Sequence, residues 1–558
     1  MLFAMSAAKP QFRHRTVWGH SNSRRLASPK PRSLREFLVR RFNRIDVTSL
    51  QVCRRIGSAS IRLNRDRPRV VHLQSTLENK ASSQQIARLA VLGAAALAVR
   101  QVVVQLFNLG GSIVLARQLS PREYGYYGII VFLMSFLSSF GDVGLGASLI
   151  RQEQEPDDRD YRSVFTFQQM LVFSVVIIFW GLSPWVIGRY NVPGSERYIF
   201  HAAALSLIIT SFQSIPAIRL ERKLAFDRLA VADVAQALSF NLVAIVLALR
   251  GAGAWSFVIA MLVRSIIGAI IIQIVSRWRI GWCFDWPRVK AHMAFGLPYQ
   301  AIGFISLIKD SITPVLVGVL AGAATVGYIS WAQTIAAYSV LALMVFQRVY
   351  LPAFARLQTD RAALGNFVER VIWATNAICA PLALLMLALF HPFTTYVFGS
   401  KWLVARPYFL FLWFANLFVP TSTPLLGLLN ALGRAKTAMF FALIWMAGTW
   451  LIGAPLIVAF GGIGFAVANF IVQFSNLALF RVAQGLVPFR ILIPILPAWC
   501  IALAVGAAAW FVQTRYPAGN LIVFISYALV GIGLYLAGLV AIDGAAIRKM
   551  RQLITGRS

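Results

Sequence analysis

Charge is scarce in this 558-residue chain, and acidic charge is scarcer still. Only 13% of residues are charged, with 20 Asp and Glu against 53 Lys and Arg. A soluble globular chain carries about 25%, so a solvated surface of ordinary extent is excluded. Histidine and cysteine are few, and Cys53, Cys283, Cys379 and Cys500 stand too far apart for a metal knuckle or a disulfide framework. No HExxH helix and no glycine loop ending in Lys-Ser/Thr occurs, so zinc hydrolysis and ATP binding have no visible apparatus. The run GAGAWS from Gly251 lies between two apolar stretches and reads as a hairpin. No large loop or catalytic insert interrupts the chain. An enzyme is not expected, nor is a metal or cofactor.

What the chain has in plenty is hydrophobic length. Apolar residues make up 58% and the mean hydropathy is +0.69. Residues 1–86 differ: 15 Arg and 3 Lys face 4 acids, with no run able to cross a bilayer and nothing like a secretory signal. This basic extension cannot bury enough apolar surface to fold alone and reads as disordered. A span needs about 20 apolar residues. On that rule fourteen follow, among them 89–116, 126–149, 164–188, 198–218, 230–249, 252–275, 294–320, 324–347, 404–427 and 519–541. Their length excludes barrel strands, which run to about 10 alternating residues. The connections on the N-terminal side hold about three times the Lys and Arg of those opposite, which places both termini in the cytoplasm. The net charge of +33 then marks loops facing anionic lipid, as at Arg219–Arg228 and Leu351–Arg370, and no nucleic-acid partner is expected.

A repeat organises the spans. Ile113–Gly128 (IVLARQLSPREYGYYG) is echoed by Val315–Ser330 (VLVGVLAGAATVGYIS), matching Gly125–Tyr126 to Gly327–Tyr328 at an offset of 202 residues. GAWSFVIAMLV from Gly253 is echoed by GIGFAVANFIV from Gly462, at an offset of 209. Two six-span lobes follow, 88–275 and 292–484, with parallel topology because an even block returns the chain to its starting side. Two additional spans at 490–542 and a cytoplasmic tail at 543–558 complete the plan.

The run Leu115-Ala-Arg-Gln-Leu-Ser-Pro121, then Tyr124-Gly125, then Phe140-Gly-Asp-Val-Gly-Leu-Gly-Ala-Ser-Leu-Ile150, resembles the first hairpin of the Wzx-type polysaccharide flippases. These belong to the multidrug/oligosaccharidyl-lipid/polysaccharide exporter superfamily. Phe295-Gly-Leu-Pro298 and Leu351-Pro-Ala-Phe-Ala-Arg356 resemble the same family, and the resemblance covers roughly 88–485. It implies two six-helix lobes facing each other in a V. It also implies an inner-membrane protein that moves undecaprenyl-diphosphate-linked oligosaccharide, alongside a polysaccharide polymerase or export complex. Related readings are a lipid II flippase, a multidrug antiporter, or a scaffold that transports nothing.

Ionisable groups inside spans carry the functional expectation, because a charge at mid-bilayer costs about 3 kcal/mol or more and is kept for a wet cavity or a partner. Arg100, Arg264 and Lys309 are expected to bind the diphosphate of the cargo, Arg through a planar fork and Lys as a point charge. Asp310 and Asp142 are expected to serve ion coupling or a structural pair, Arg100 with Asp142 being one such pair. Lys309 and Asp310 point about 100° apart on a helix and need not meet. Tyr299, Gln300, Trp331, Gln333, Trp413 and Asn416 are candidates for contact with sugar or for ordinary helix packing. Pro298, Pro314, Pro420 and Pro424 are candidate kinks.

Overall fold

Local rules set the helix boundaries. Helix α1 covers 100–118. The Ser120-Pro-Arg-Glu123 turn after it is a capping box: Ser120 Oγ accepts from the Glu123 N–H at 3.3 Å, and Glu123 Oε2 accepts from the Ser120 N–H at 2.7 Å. Pro121 opens the first turn of α2, Pro121–Asp142, where a missing N–H costs nothing. Asp157 and Asp160 build the same box ahead of α4, Asp158–Gly188. The computed structural model describes residues 100–555 apart from 102, 191 and 342, and every regular element among them is helical. The extension expected at 1–86 lies outside the described residues.

The first half continues with α3 (Leu145–Arg151), α5 (Tyr198–Arg222), α6 (Phe226–Leu249) and α7 (Trp255–Ser276). The second half begins at α8 (Trp286–Asp310), runs through a π turn at Thr313–Val317, and continues as α9 (Gly322–Tyr338), α10 (Leu343–Leu357) and α11 (Arg361–Ala388). Then come α12 (Arg406–Asn416), α13 (Val419–Ala431), α14 (Ala435–Phe460), α15 (Gly462–Gln473) and α16 (Asn476–Leu486). Helices α17 (Leu492–Arg515) and α18 (Leu521–Thr555) are the additional pair.

Eleven helices among the described residues are long and apolar enough to cross a membrane, and twelve if the pair Ser400–Asn416 and Val419–Ala431, bent by 42°, is one span. The expected fourteen is therefore not reached. The first span begins outside the described residues. The eighth, 324–347, is interrupted after Tyr338, leaving helices of 17 and 15 residues. The second is also broken: Val143 (φ 48°) and Gly144 (φ 72°) turn left-handed between α2 and α3. Large apolar side chains face outward along the spans, as Leu451, Ile522 and Val458 do, which suits a lipid surrounding. The C-terminal pair packs on α11, whose most apolar window is 61% buried against 17% for α18. α11 is thus the centre of its half and α18 its rim.

Helix α2 packs along α9, its counterpart in the repeat. The approach is backbone to backbone: a Cβ on Gly125 would stand 1.7 Å from Ala323 O, and one on Gly327 would stand 1.9 Å from Pro121 O. Only glycine fits either place. Beside this seam lies an aromatic core, with Trp331 stacked on Trp402 at 5.2 Å and Tyr124 edge-on to Trp402 at 5.3 Å.

Candidate functional site

The two halves meet at both ends of the helix bundle. At the end holding the α1–α2 turn, Trp402 Nε1 donates to Ala116 O at 2.8 Å, and Lys401 Nζ donates to Arg117 O at 2.7 Å and Leu119 O at 2.6 Å. These are the last carbonyls of α1, where the helix dipole favours a cation. Arg117 reciprocates by donating to Val397 O and Tyr396 O. Deeper in, Ser112 Oγ and Tyr338 OH stand 3.3 Å apart between α1 and α9.

At the opposite end the contact is ionic. Arg288, in the first turn of α8, reaches Asp157 at 2.9 Å and Asp160 at 2.6 Å on α4, and its own Asp285 at 3.0 Å. The Asp160 N–H and then the Arg288 guanidinium hold the Asp157 carboxyl below the usual carboxylate range. Arg151 of α3 lies over Phe295 of α8 at 4.3 Å, and Ser148 Oγ is 3.0 Å from His292 Nδ1. Gly144 needs its positive φ, and it also needs the missing side chain: a Cβ there would stand 2.2 Å from Gly296 O.

Between these ends lies a cavity of about 420 Å³, walled by Ser135 of α2, Lys309 and Asp310 of α8, and Gln333 of α9. Lys309 Nζ and Asp310 Oδ1 pair at 2.9 Å, so the two neighbours do meet. Pro314 sits in the π turn beside them, an irregularity of the kind found at functional sites. Arg100 and Arg264 lie elsewhere, on a second cavity of about 220 Å³ inside the first half, with Asn108, Asp233 and Gln236. The partner of Arg100 is Asp233, at 2.5 Å, and not Asp142. Arg264 makes no ion pair among the described residues. A third cavity of about 490 Å³ is lined by Asp142, Gln168, Thr210, Ser211, Glu221 and Tyr299. Asp142 ends α2, immediately before the break that leads into α3.

The structure thus brings Arg100 and Arg264 together and sets Lys309 with Asp310 apart from them. Of the polar candidates, Gln333 faces the central cavity and Tyr299 the third one. Trp331 and Trp413 are core residues, 1% and 2% exposed. Asp233, Glu221 and Arg288 were missed. Asp233, Gln236 and Phe240 share one face of α6, a spacing that pointed to the second cavity. Arg288 and its three carboxylates carried no such signal, since α4 and α8 are far apart in the chain.

A model of the family described as "Polysaccharide biosynthesis protein" matches residues 114–407. The chain is similar to the succinoglycan biosynthesis transport protein ExoT of Rhizobium meliloti (strain 1021), 23% identical over 337 residues, 60% of this chain and 68% of that one. It is also similar to the lipopolysaccharide biosynthesis protein WzxC of Escherichia coli (strain K12), 22% identical over 401 residues, 70% of this chain and 79% of the other. Among solved structures it resembles the lipid II flippase MurJ in an inward closed conformation, with a TM-score of 0.68, 14% identity, and coverage of 82% of this chain and 100% of that one. At such identity the likeness is one of fold.

Proposed function

The chain belongs to the polysaccharide biosynthesis protein family, and from that premise we propose that it is a transporter, not an enzyme. It carries undecaprenyl-diphosphate-linked oligosaccharide units from the cytoplasmic to the periplasmic leaflet of the inner membrane, for exopolysaccharide, capsule or O-antigen export. The observation that carries this reading is the central cavity, walled by both halves and lying between two closures. Such an arrangement is what alternating access needs: one closure opens while the other holds. In this reading the Arg288 closure lies at the cytoplasmic face and the Lys401 closure at the periplasmic face, an orientation that the excess of Lys and Arg supports.

The cargo head is an anion, and the cations of the wall are suited to it. Lys309 offers a point charge in the central cavity, held by Asp310 until a diphosphate competes for it. Arg264 offers a guanidinium that makes no ion pair among the described residues, and Arg100 becomes available when Asp233 yields. The lipid tail stays in the bilayer, so only the head needs a polar path. An ion gradient drives the cycle, and a polymerase or export complex receives the product.

The test is lipid-linked oligosaccharide in a deletion strain. The intermediate is expected to build up on the cytoplasmic leaflet, with wild-type chain clearing it and Lys309→Ala clearing it at least about tenfold more slowly, the scale of one lost charged contact. Absence of any build-up in the deletion strain would sink the reading. Clearance by Arg264→Ala and Lys309→Ala at the wild-type rate would remove these residues from the cargo path.

A further inference from the structure

Residues 277–285 link the two halves, from the end of one candidate span, Trp255–Ser276, to the start of another at Trp286. So short a connection between two such helices runs along the membrane surface. It has no regular secondary structure and is strapped to the start of α4. Trp278 Nε1 donates to Asp158 Oδ1 at 3.3 Å, and the Cys283 N–H donates to Thr166 Oγ1 at 3.0 Å. Gly281 lies so close to Arg162 that a Cβ would stand 2.8 Å from Nε. Asp285 ends the link and pairs with Arg288.

From Gly281 onward the side chains alternate, as they do in extended chain. Gly281, Cys283 and Asp285 are half-buried, while Trp282, Phe284 and Trp286 face outward, 62%, 52% and 48% exposed. The outward rings are held in place: Trp282 rests on Phe165 at 5.5 Å, and Trp286 on Phe167 at 5.9 Å and on Phe284 at 6.4 Å. Large rings fixed side by side on a surface mark a contact with something other than water. Tryptophan, with its apolar body and polar edge, belongs at the headgroup level of a bilayer. The charge agrees. Arg277 and Arg279 are exposed and make no ion pair among the described residues. The acids beside them are engaged: Asp158 pairs with Arg162 and Arg219, while Asp157, Asp160 and Asp285 share Arg288. The link therefore presents uncompensated positive charge next to its aromatic face.

We propose that the link is an interfacial anchor, with Trp282, Phe284 and Trp286 in the headgroup layer and Arg277 and Arg279 on the phosphates of anionic lipid. Aromatic and basic residues together on one short surface segment suit an anionic bilayer, which satisfies both at once. The anchor fixes at one depth the segment that joins the halves and that gives Asp285 to the Arg288 fork. Lipid thereby steadies the closure between α4 and α8 from outside. Anchoring is a property of the link and stands apart from the transport reading above.

The experiment uses the full chain in lipid nanodiscs, its four cysteines replaced by alanine and a nitroxide attached after Phe284→Cys. Trp282→Cys is a second reporter on the same face, and Glu153→Cys, at an exposed position, is the aqueous reference. Collision with oxygen, which concentrates in lipid, is compared with collision with a neutral, water-soluble nickel chelate. The bilayers are phosphatidylcholine alone or an equal mixture with phosphatidylglycerol. Labels at 282 and 284 are expected to favour oxygen, and the label at 153 the chelate. Chelate access at 284 is expected to fall at least about twofold in the anionic bilayer, and to lose that fall in the double change Arg277→Gln with Arg279→Gln. Labels at 282 and 284 as open to the chelate as the one at 153 overturn the anchor. Labels shielded from oxygen and chelate alike overturn it too, because a protein partner or a second copy then covers the face. A depth that ignores both lipid charge and the arginine changes overturns the contact with anionic lipid.

Discussion

Gly125 and Gly327 hold one position each in the two halves, and neither tolerates a β-carbon where it stands. Gly327→Val must push α9 off α2, since the atom in its way is a backbone carbonyl that cannot rotate aside. Overpacking of this kind costs about 1–3 kcal/mol, and here it falls at the end of the bundle that holds the α1–α2 turn. Gly327→Val is expected to make a cysteine placed at Ser112 reactive to a membrane-impermeant thiol reagent, and Gly327→Ala to do so more weakly. Unchanged labelling in both would show that the seam does not govern that closure. The pairing of Arg100 with Asp233 leads to a second expectation. Asp233→Asn leaves Arg100 without its carboxylate in a cavity only partly open to water, and removing one member of such a pair costs more than the pair contributes. The double change Arg100→Gln with Asp233→Asn is expected to recover the thermal midpoint lost by Asp233→Asn alone.

At the scale of elements, the closure between α4 and α8 is a fork of three carboxylates on one guanidinium. Asp157 is held below its ordinary range, so its contribution is fully present above the unfolded carboxylate pKa of about 3.9. That contribution is lost as pH falls through its lower folded value. Labels at Glu153 and Lys290, both exposed, are expected to stay at a short, narrow distance at neutral pH and to spread in acid below about pH 4. Arg288→Ala is expected to spread them at neutral pH, because three acids are then left facing one another. High salt is expected to act in the same direction, through screening. A distance that ignores acid, salt and Arg288→Ala together would show that the Gly144–Gly296 approach and the Arg151–Phe295 contact hold the end alone.

For the whole molecule, much of the plan could be read before any coordinates. Span length and the paired Gly-Tyr steps are local signals, and burial in lipid reinforces what the local sequence prefers. The interrupted eighth span and the broken second one were not legible. Ala336–Ala342 carries no helix-breaking residue, and the close approach of Gly296 to the left-handed Gly144 comes from the other half, where no local signal reports it. The site was legible in part: the intramembrane charges were found, but their grouping depends on helix rotation, which placed Arg100 with Asp233 and left Lys309 with its neighbour. The additional helices give a further expectation. Asn376 of α11 accepts from Trp499 of α17 at 2.9 Å, and Tyr535 of α18 donates to Ala377 O at 2.7 Å. Truncation before Leu492 uncovers these groups and the apolar face of α11, and is expected to lower the amount of folded protein recovered from membranes well beyond the effect of Trp499→Phe.

The glycine seam has one more implication. Gly125 meets Ala323 while Gly327 meets Pro121, and a shift of 202 residues carries Gly125 onto Gly327 and Pro121 onto Ala323. Residue for residue, each side touches on the other what the other touches on it, which is the signature of an isologous dimer contact. The two halves thus meet as the protomers of a twofold dimer do, with residues 277–285 as the link between them. Cutting that linker near Arg279 and producing the two pieces from separate genes is then a reconstitution and not a mutilation: the pieces should find each other again in the membrane.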